Sequence, residues 1–137
     1  MRALRSTLAV LALLAGAAPA STQPLSTEAW WAATDPSGKQ VVYVQCGSNF
    51  FDPKEIVVKR GIPVRMVVRT TKDLGSSSFG FGDRTLPGRG PIKAEPTILE
   101  FMPSAQGRFP MSCEPEGGVP DSEAVKAKKR GILTVVP

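Results

Sequence analysis

The side chains able to do chemistry in this sequence are few, and one type is missing: its 137 residues include no histidine. Without an imidazole there is no Ser-His or Cys-His base pair, no histidine-ligated zinc or haem, and no two-imidazole copper set. What remains is sulfur. Cys46 and Cys113 are the two cysteines, too few for a zinc ribbon or a cysteine-rich scaffold. Three readings of them stay open. In an oxidising compartment two cysteines of a secreted domain most often form a disulfide. It would close the 68-residue loop from 46 to 113 inclusive and contribute about 4 kcal/mol through loop entropy. It requires the two Cα atoms to lie within roughly 7 Å. Alternatively the two are separate buried thiols. The third reading joins Cys113 with Met111 and Cys46 in a Cu(I) site, since thiolate and thioether ligands select that ion. Met111 and Cys113 share one face of a strand, which equally suits a core. Met66 and Met102 lie in strand-like apolar contexts and read as core filler.

The other polar clusters carry less. A serine nucleophile in Ser76-Ser77-Ser78 would need a lysine base, and no S-x-x-K arrangement occurs, so no enzyme activity is expected. Glu114, Glu116, Asp121 and Glu123 match no EF-hand spacing and read as a solvated loop. Lys126, Lys128, Lys129 and Arg130 form a basic group that could dock an acidic partner. The plainer reading is the solvated, dipole-matched end of a short helix.

The first residues read as an address. Arg2 and Arg5 give a positive start, Leu8 to Ala18 an apolar run, and Ala18-Pro19-Ala20 the small residues that a signal peptidase reads. The run is shorter than the roughly 20 apolar residues needed to span a bilayer. Residues 1–20 are therefore expected to be a cleaved signal, leaving a periplasmic or secreted protein without a transmembrane anchor. The whole chain has 17 basic and 12 acidic residues; removing Arg2 and Arg5 leaves 15 against 12, a net +3. That charge suits an acidic periplasmic or membrane-associated partner. No aromatic-studded basic stripe points to nucleic acid. About 117 remaining residues can bury roughly 65% of their unfolded surface, enough for one two-layer core.

These side chains must be positioned by short strands. Gly and Pro, 13 each, make up about 19% of the chain against an average near 12%. Residues 21–39 read as a lead-in, with a short helical turn and with Trp30-Trp31 covering core. Strand patterns follow at 40–46, 56–59 and 64–69. In the last of these, Val64, Met66 and Val68 face a core, while Arg65 and Arg69 face solvent. Phe79 to Phe81 is a further short strand, 83–95 an open loop, and 97–102 and 108–113 two more strands. A short basic helix at 124–130 has Asp121 as expected N-cap and Glu123 in its first turn. Gly131 ends it, and Ile132 to Val136 forms the closing strand. About seven short strands predict an all-β, antiparallel sandwich over residues 40–137.

The ordered pieces Ser48-Asn49-Phe50-Phe51-Asp52-Pro53, Ile56-Val57-Val58-Lys59 and Gly61-Ile62-Pro63-Val64 resemble the opening of bacterial cupredoxin-like domains. Ile98-Leu99-Glu100-Phe101, Gly107-Arg108-Phe109 with Cys113, and Gly131 to Val135 are similar to that family's later strands. The resemblance spans about residues 40–136. It implies a Greek-key β-sandwich with a metal site at one end. Family members hold copper with a His after the third strand, a Cys ending the penultimate long strand, and a His and often a Met beyond it. Cys113 matches that Cys. The first His would fall near Ser77, the second near Glu123 or Ala124, and the Met near Lys128 or Lys129. Serine is a poor copper ligand, and a protonated lysine repels a metal ion.

The expectation is a domain whose blue-copper site has been lost and which acts as a non-enzymatic binding or accessory module, with no cofactor favoured. Its partner surface is expected at Ser77, Phe79, Lys126, Lys128, Lys129 and Arg130. The alternative is a copper carrier or electron-transfer protein using Cys113 with Met111 and/or Cys46.

Overall fold

The computed structural model describes residues 29–117 and 119–137. The expected signal at 1–20 and the start of the lead-in lie outside the described residues. The elements in chain order are β1 (Trp30–Trp31), β2 (Ala33–Thr34), β3 (Gln40–Cys46), β4 (Phe51–Asp52), β5 (Glu55–Lys59), β6 (Val64–Thr70), β7 (Ser77–Phe81), β8 (Gly90–Ile92), β9 (Thr97–Phe101), β10 (Gly107–Pro115), α1 (Glu123–Lys128) and β11 (Arg130–Val136).

Two sheets form the sandwich. One has the order β1-β5-β11-β10-β7-β8; the other runs β2-β3-β6-β9, with β4 paired to β3. All seven expected strands are present, and the short helix precedes the last of them. β1, β2, β4 and β8, of two or three residues each, are additional. β8 lies inside the stretch read as an open loop. Trp30–Thr34 form two edge strands rather than a helical turn, so the sandwich takes in part of the lead-in. Trp30 and Trp31 stand largely in solvent and do not cover the core.

The sandwich is as expected, but its pairing is mixed rather than wholly antiparallel. β3 runs parallel to β6, and β5 runs parallel to both β1 and β11. The cause is connectivity: the chain leaves β3, makes β5 in the opposite sheet, and returns as β6 beside β3 in the same direction. Alternation in a strand shows which residues face in, while strand direction depends on these crossings.

Burial follows the strand period. In β6 the side chains alternate between core and outside from Val64 to Thr70. β5 is buried from Glu55 to Val58, with Ile56 and Val58 in the core between the sheets and Glu55 and Val57, which alternate with them, buried as well. The core between the sheets includes Val42, Val44, Phe51, Ile56, Met66, Phe79, Met111 and Leu133. Met66 is core filler as expected. Met102, just past β9, is instead exposed.

Buried polar groups are mostly hydrogen-bonded, as the cost of desolvating an unpaired one demands, the Thr70 hydroxyl at the end of β6 being an exception. Gln40 donates its Nε2 to the Lys59 and Ile62 carbonyls and accepts from the Lys59 amide, at 2.7–3.0 Å, tying the start of β3 to the β5–β6 turn. Glu55 accepts from the Thr134 hydroxyl at 2.9 Å across the β5–β11 pair. The turn into β6 depends on Gly61, whose φ of +76° is left-handed backbone that glycine adopts without a Cβ clash.

Candidate functional site

The candidate site is the end of the sandwich where β10, β7, β3 and the α1–β11 connection meet. β10 sits between β7 and β11, which sets Cys113 opposite Phe79 and Pro115 opposite Ser77. Two residues earlier Met111 lies opposite both Phe81 and Gly131. The Cys113 amide donates to the Lys129 carbonyl at 3.1 Å, bringing the end of α1 beside the cysteine. From the other sheet, Cys46 ends β3 opposite Thr70 and Phe51. The Phe51 and Phe79 rings stack beneath this end, 6.3 Å apart. Gly131 lies so close to the Phe51 ring that no Cβ could be placed there.

Cys46 and Cys113 form a disulfide, with their Cα atoms 6.5 Å apart. Both are buried, so the bond is an inter-sheet staple through the core. This selects the first of the three sequence readings. Met111 is fully buried among apolar neighbours and belongs to the core cluster. The shared face of Met111 and Cys113 is thus the interior of the sandwich.

α1 begins after Ser122, whose hydroxyl accepts from the Val125 amide at 3.3 Å. Ser122 is therefore the N-cap, not Asp121. Asp121 points elsewhere: its carboxylate accepts from Lys129 Nζ at 2.8 Å. The Lys129 side chain is only 1% exposed and that of Asp121 is 21% exposed. The helix stops at Lys128, and Arg130 already belongs to β11. The last carbonyls of this segment are met by Lys54, whose Nζ donates to Lys128 O at 2.7 Å and Arg130 O at 3.1 Å. Partial burial lowers the Lys54 ammonium from its ordinary pKa, because desolvation disfavours the charged form.

The expected partner surface therefore needs correction. Ser77, Phe79 and Lys129 are buried and cannot meet a partner. Ser77 faces inward, its hydroxyl donating to the Gly75 carbonyl at 3.1 Å. Lys126, Lys128 and Arg130 do reach solvent, and Lys126 is engaged by Glu123 at 3.3 Å. The basic run thus divides between one buried ammonium and a solvated helix end. The acidic cluster divides as well: Asp121 goes to Lys129, Glu123 to Lys126, and Glu114 faces Arg89 at 3.6 Å.

A type 1 copper ion does not fit these donors. The sulfur that would bind it is spent in the disulfide, and Ser77 offers a hydroxyl where an imidazole is needed. A buried ammonium already paired to a carboxylate fills part of the same end. Among the described residues no three His, Cys, Asp or Glu side chains are grouped to hold a metal ion.

Fold and site together define a cupredoxin-like sandwich whose two sheets are stapled by a buried disulfide. Solved structures agree on the fold. The metal-binding domain of the Cu(I)-exporting P-type ATPase CopA of Streptococcus pneumoniae D39, solved with Cu(I), superposes with a TM-score of 0.61 at 23% identity, covering 82% of this chain and 99% of that one. A copper-binding protein solved in its apo form gives 0.53 at 19%, covering 77% and 95%. Auracyanin A, a blue copper protein of Chloroflexus aurantiacus, gives 0.51 at 13%, covering 72% and 100%. At these identities the likeness establishes the cupredoxin-like fold and nothing finer. No protein-family model matches the chain, and no curated protein matches it in sequence.

Proposed function

We propose that this chain is a periplasmic or secreted cupredoxin-like domain that has lost its type 1 copper site and works as a non-enzymatic binding or accessory module. The observation that carries the proposal is the Cys46–Cys113 disulfide. Copper is bound by thiolate, and a sulfur committed to a disulfide is neutral and only a weak donor in its place. The Lys129–Asp121 pair adds to this, since the Asp121 carboxylate is already taken by the ammonium and is not free to hold a cation. Structural neighbours of the same fold that carry Cu(I) or blue copper are compatible with such a loss.

The competing reading is a copper carrier using Cys113 with Met111 or Cys46. It requires the disulfide to be reduced and the buried Met111 sulfur to be reachable. The test is copper stoichiometry of the purified domain, loaded anaerobically with Cu(I), before and after thiol reduction, against a Cys113→Ser control. The oxidised protein is expected to retain no copper. About one copper per reduced chain, lost in the control, would replace the accessory reading with that of a soft-ligand carrier.

A further inference from the structure

The outward face of the β2-β3-β6-β9 sheet carries a pattern that solvation does not explain. Register sets three rows across β3, β6 and β9. The middle row is Tyr43, Val67 and Ile98, directly opposite one another. Tyr43 is 66% exposed and Ile98 48%. Trp30, 56% exposed, stands beside this row and lines both shallow grooves on the face together with Tyr43 and Val67. One flanking row is Val41, Arg65 and Glu100; the other holds Gln45 and Arg69, with Pro96 alongside. Single exposed apolar residues are ordinary, but a contiguous apolar row edged by charge marks an interaction surface.

The charges on this face differ in what they have left to offer. Asp35 already accepts from the Ser37 amide and hydroxyl and from the Lys39 amide. Glu100 already accepts from Lys39 Nζ at 2.9 Å. Asp52 lines the groove beside Arg69 without forming an ion pair with it. The Arg65 and Arg69 guanidinium groups make no hydrogen bond or ion pair among the described residues, though both side chains are exposed and Arg65 exerts a weak attraction on Glu100. The open capacity of the face is mostly cationic, in two guanidinium forks whose geometry matches carboxylates. Tyrosine, tryptophan and arginine are also the residues that most often dominate binding at protein interfaces.

We infer that this face docks a partner protein that lays an apolar side chain on the Tyr43–Val67–Ile98 row and sets carboxylates against Arg65 and Arg69. The two arginines are four residues apart on β6, a span of about 13 Å along the strand. A second copy of this chain centred on Val67 is a poor occupant when the two-fold axis, in the plane of the face, runs along β6 or across it. The first choice stacks Arg65 on its own copy and Arg69 on its own; the second stacks Arg65 on the other copy's Arg69. Both oppose like charges, which is destabilising. The inference rests on the binding-module reading and names the surface and partner chemistry.

The test selects short random peptides displayed on phage against the full chain, then measures the affinity of the enriched peptides through Trp30 and Trp31 fluorescence. Enriched sequences are expected to place an apolar residue between aspartates or glutamates. Their binding should weaken as salt rises and fall about tenfold or more in the Arg65→Glu/Arg69→Glu variant. Tyr43→Ser should weaken it as well. These positions are exposed, and circular dichroism checks that the variants keep the fold. No enrichment, enrichment of basic or uncharged peptides, or indifference to charge reversal would overturn the inference. So would a dimer in sedimentation that the Tyr43→Ser change dissolves. Copper retention bears on the copper-free reading alone, so the two failures are distinguishable.

Discussion

Lys129 puts an ammonium where solvent barely reaches, and Asp121 is the group that makes this tolerable. Removing one partner of a buried pair leaves an uncompensated charge, at a cost of about 3–5 kcal/mol, whereas replacing the ion by an apolar side chain can be close to neutral. The two ends of this pair are not equivalent, because Asp121 keeps some access to water and Lys129 has almost none. Asp121→Asn is therefore expected to lower unfolding free energy by about 3 kcal/mol. Lys129→Met should lower it by less than about half that, since the freed carboxylate can hydrate. Urea unfolding of both variants measures the difference; equal losses would mean that Lys129 finds water in spite of its burial. Neither the pair nor the N-cap was legible in the sequence. Asp121 and Ser122 are adjacent and both favour the N-cap position, and choosing between them takes the direction of the Lys129 side chain. Ser77 was expected on the partner surface because it falls where the family's first histidine would stand; a backbone carbonyl within reach lets its hydroxyl be buried instead.

At the scale of strands, the alternation that the sequence carries maps directly onto the faces. Arg65 and Arg69 were expected outside β6, and that is where they lie. The register with β3 and β9 was not legible, so the Tyr43–Val67–Ile98 row was invisible before the sheets were assembled. Trp30 and Trp31 were expected over the core because large aromatics favour burial; two-residue edge strands offer too little covering chain. Another cross-element contact, the Lys39–Glu100 bond, joins the entry of β3 to β9 and sets an acid-side pH dependence. The bond with Lys39, and less strongly the charge of Arg65, hold the Glu100 carboxyl below its ordinary value. A depressed carboxyl contributes stability above its unfolded pKa and loses it as pH falls through the folded one. The thermal midpoint should thus decline as pH drops below the ordinary glutamate range. Glu100→Gln should make that decline shallower, by a small amount because the pair is solvent-exposed. Thermal unfolding across a series of acidic buffers checks this, and identical slopes for both proteins would exclude the contribution.

For the whole molecule, fold class was readable because seven strands, their turns and the helix before the last strand each left a local trace. Mixed pairing was not, since it depends on which sheet each crossing enters. The Cys46–Cys113 bond belongs to the same scale: it joins the two sheets, and two cysteines alone left its formation open. Its sequence separation of 67 makes it a long-range constraint on the unfolded chain, for which the loop-entropy relation gives about 4 kcal/mol. A domain of this size shifts its melting point by several degrees per kcal/mol, so reduction should lower it by roughly 15 °C or more. Both sulfurs are buried, so the bond should resist mild reductant in the native state and yield when the chain opens. The Cys46→Ala/Cys113→Ala variant should match the reduced protein to within the cost of two small cavities and show no response to reductant. Differential scanning calorimetry of oxidised, reduced and double-variant protein compares all three. If the reduced protein melts within a few degrees of the oxidised one, loop closure is not what holds the sheets together, and apolar contacts across the core would have to supply the missing stability.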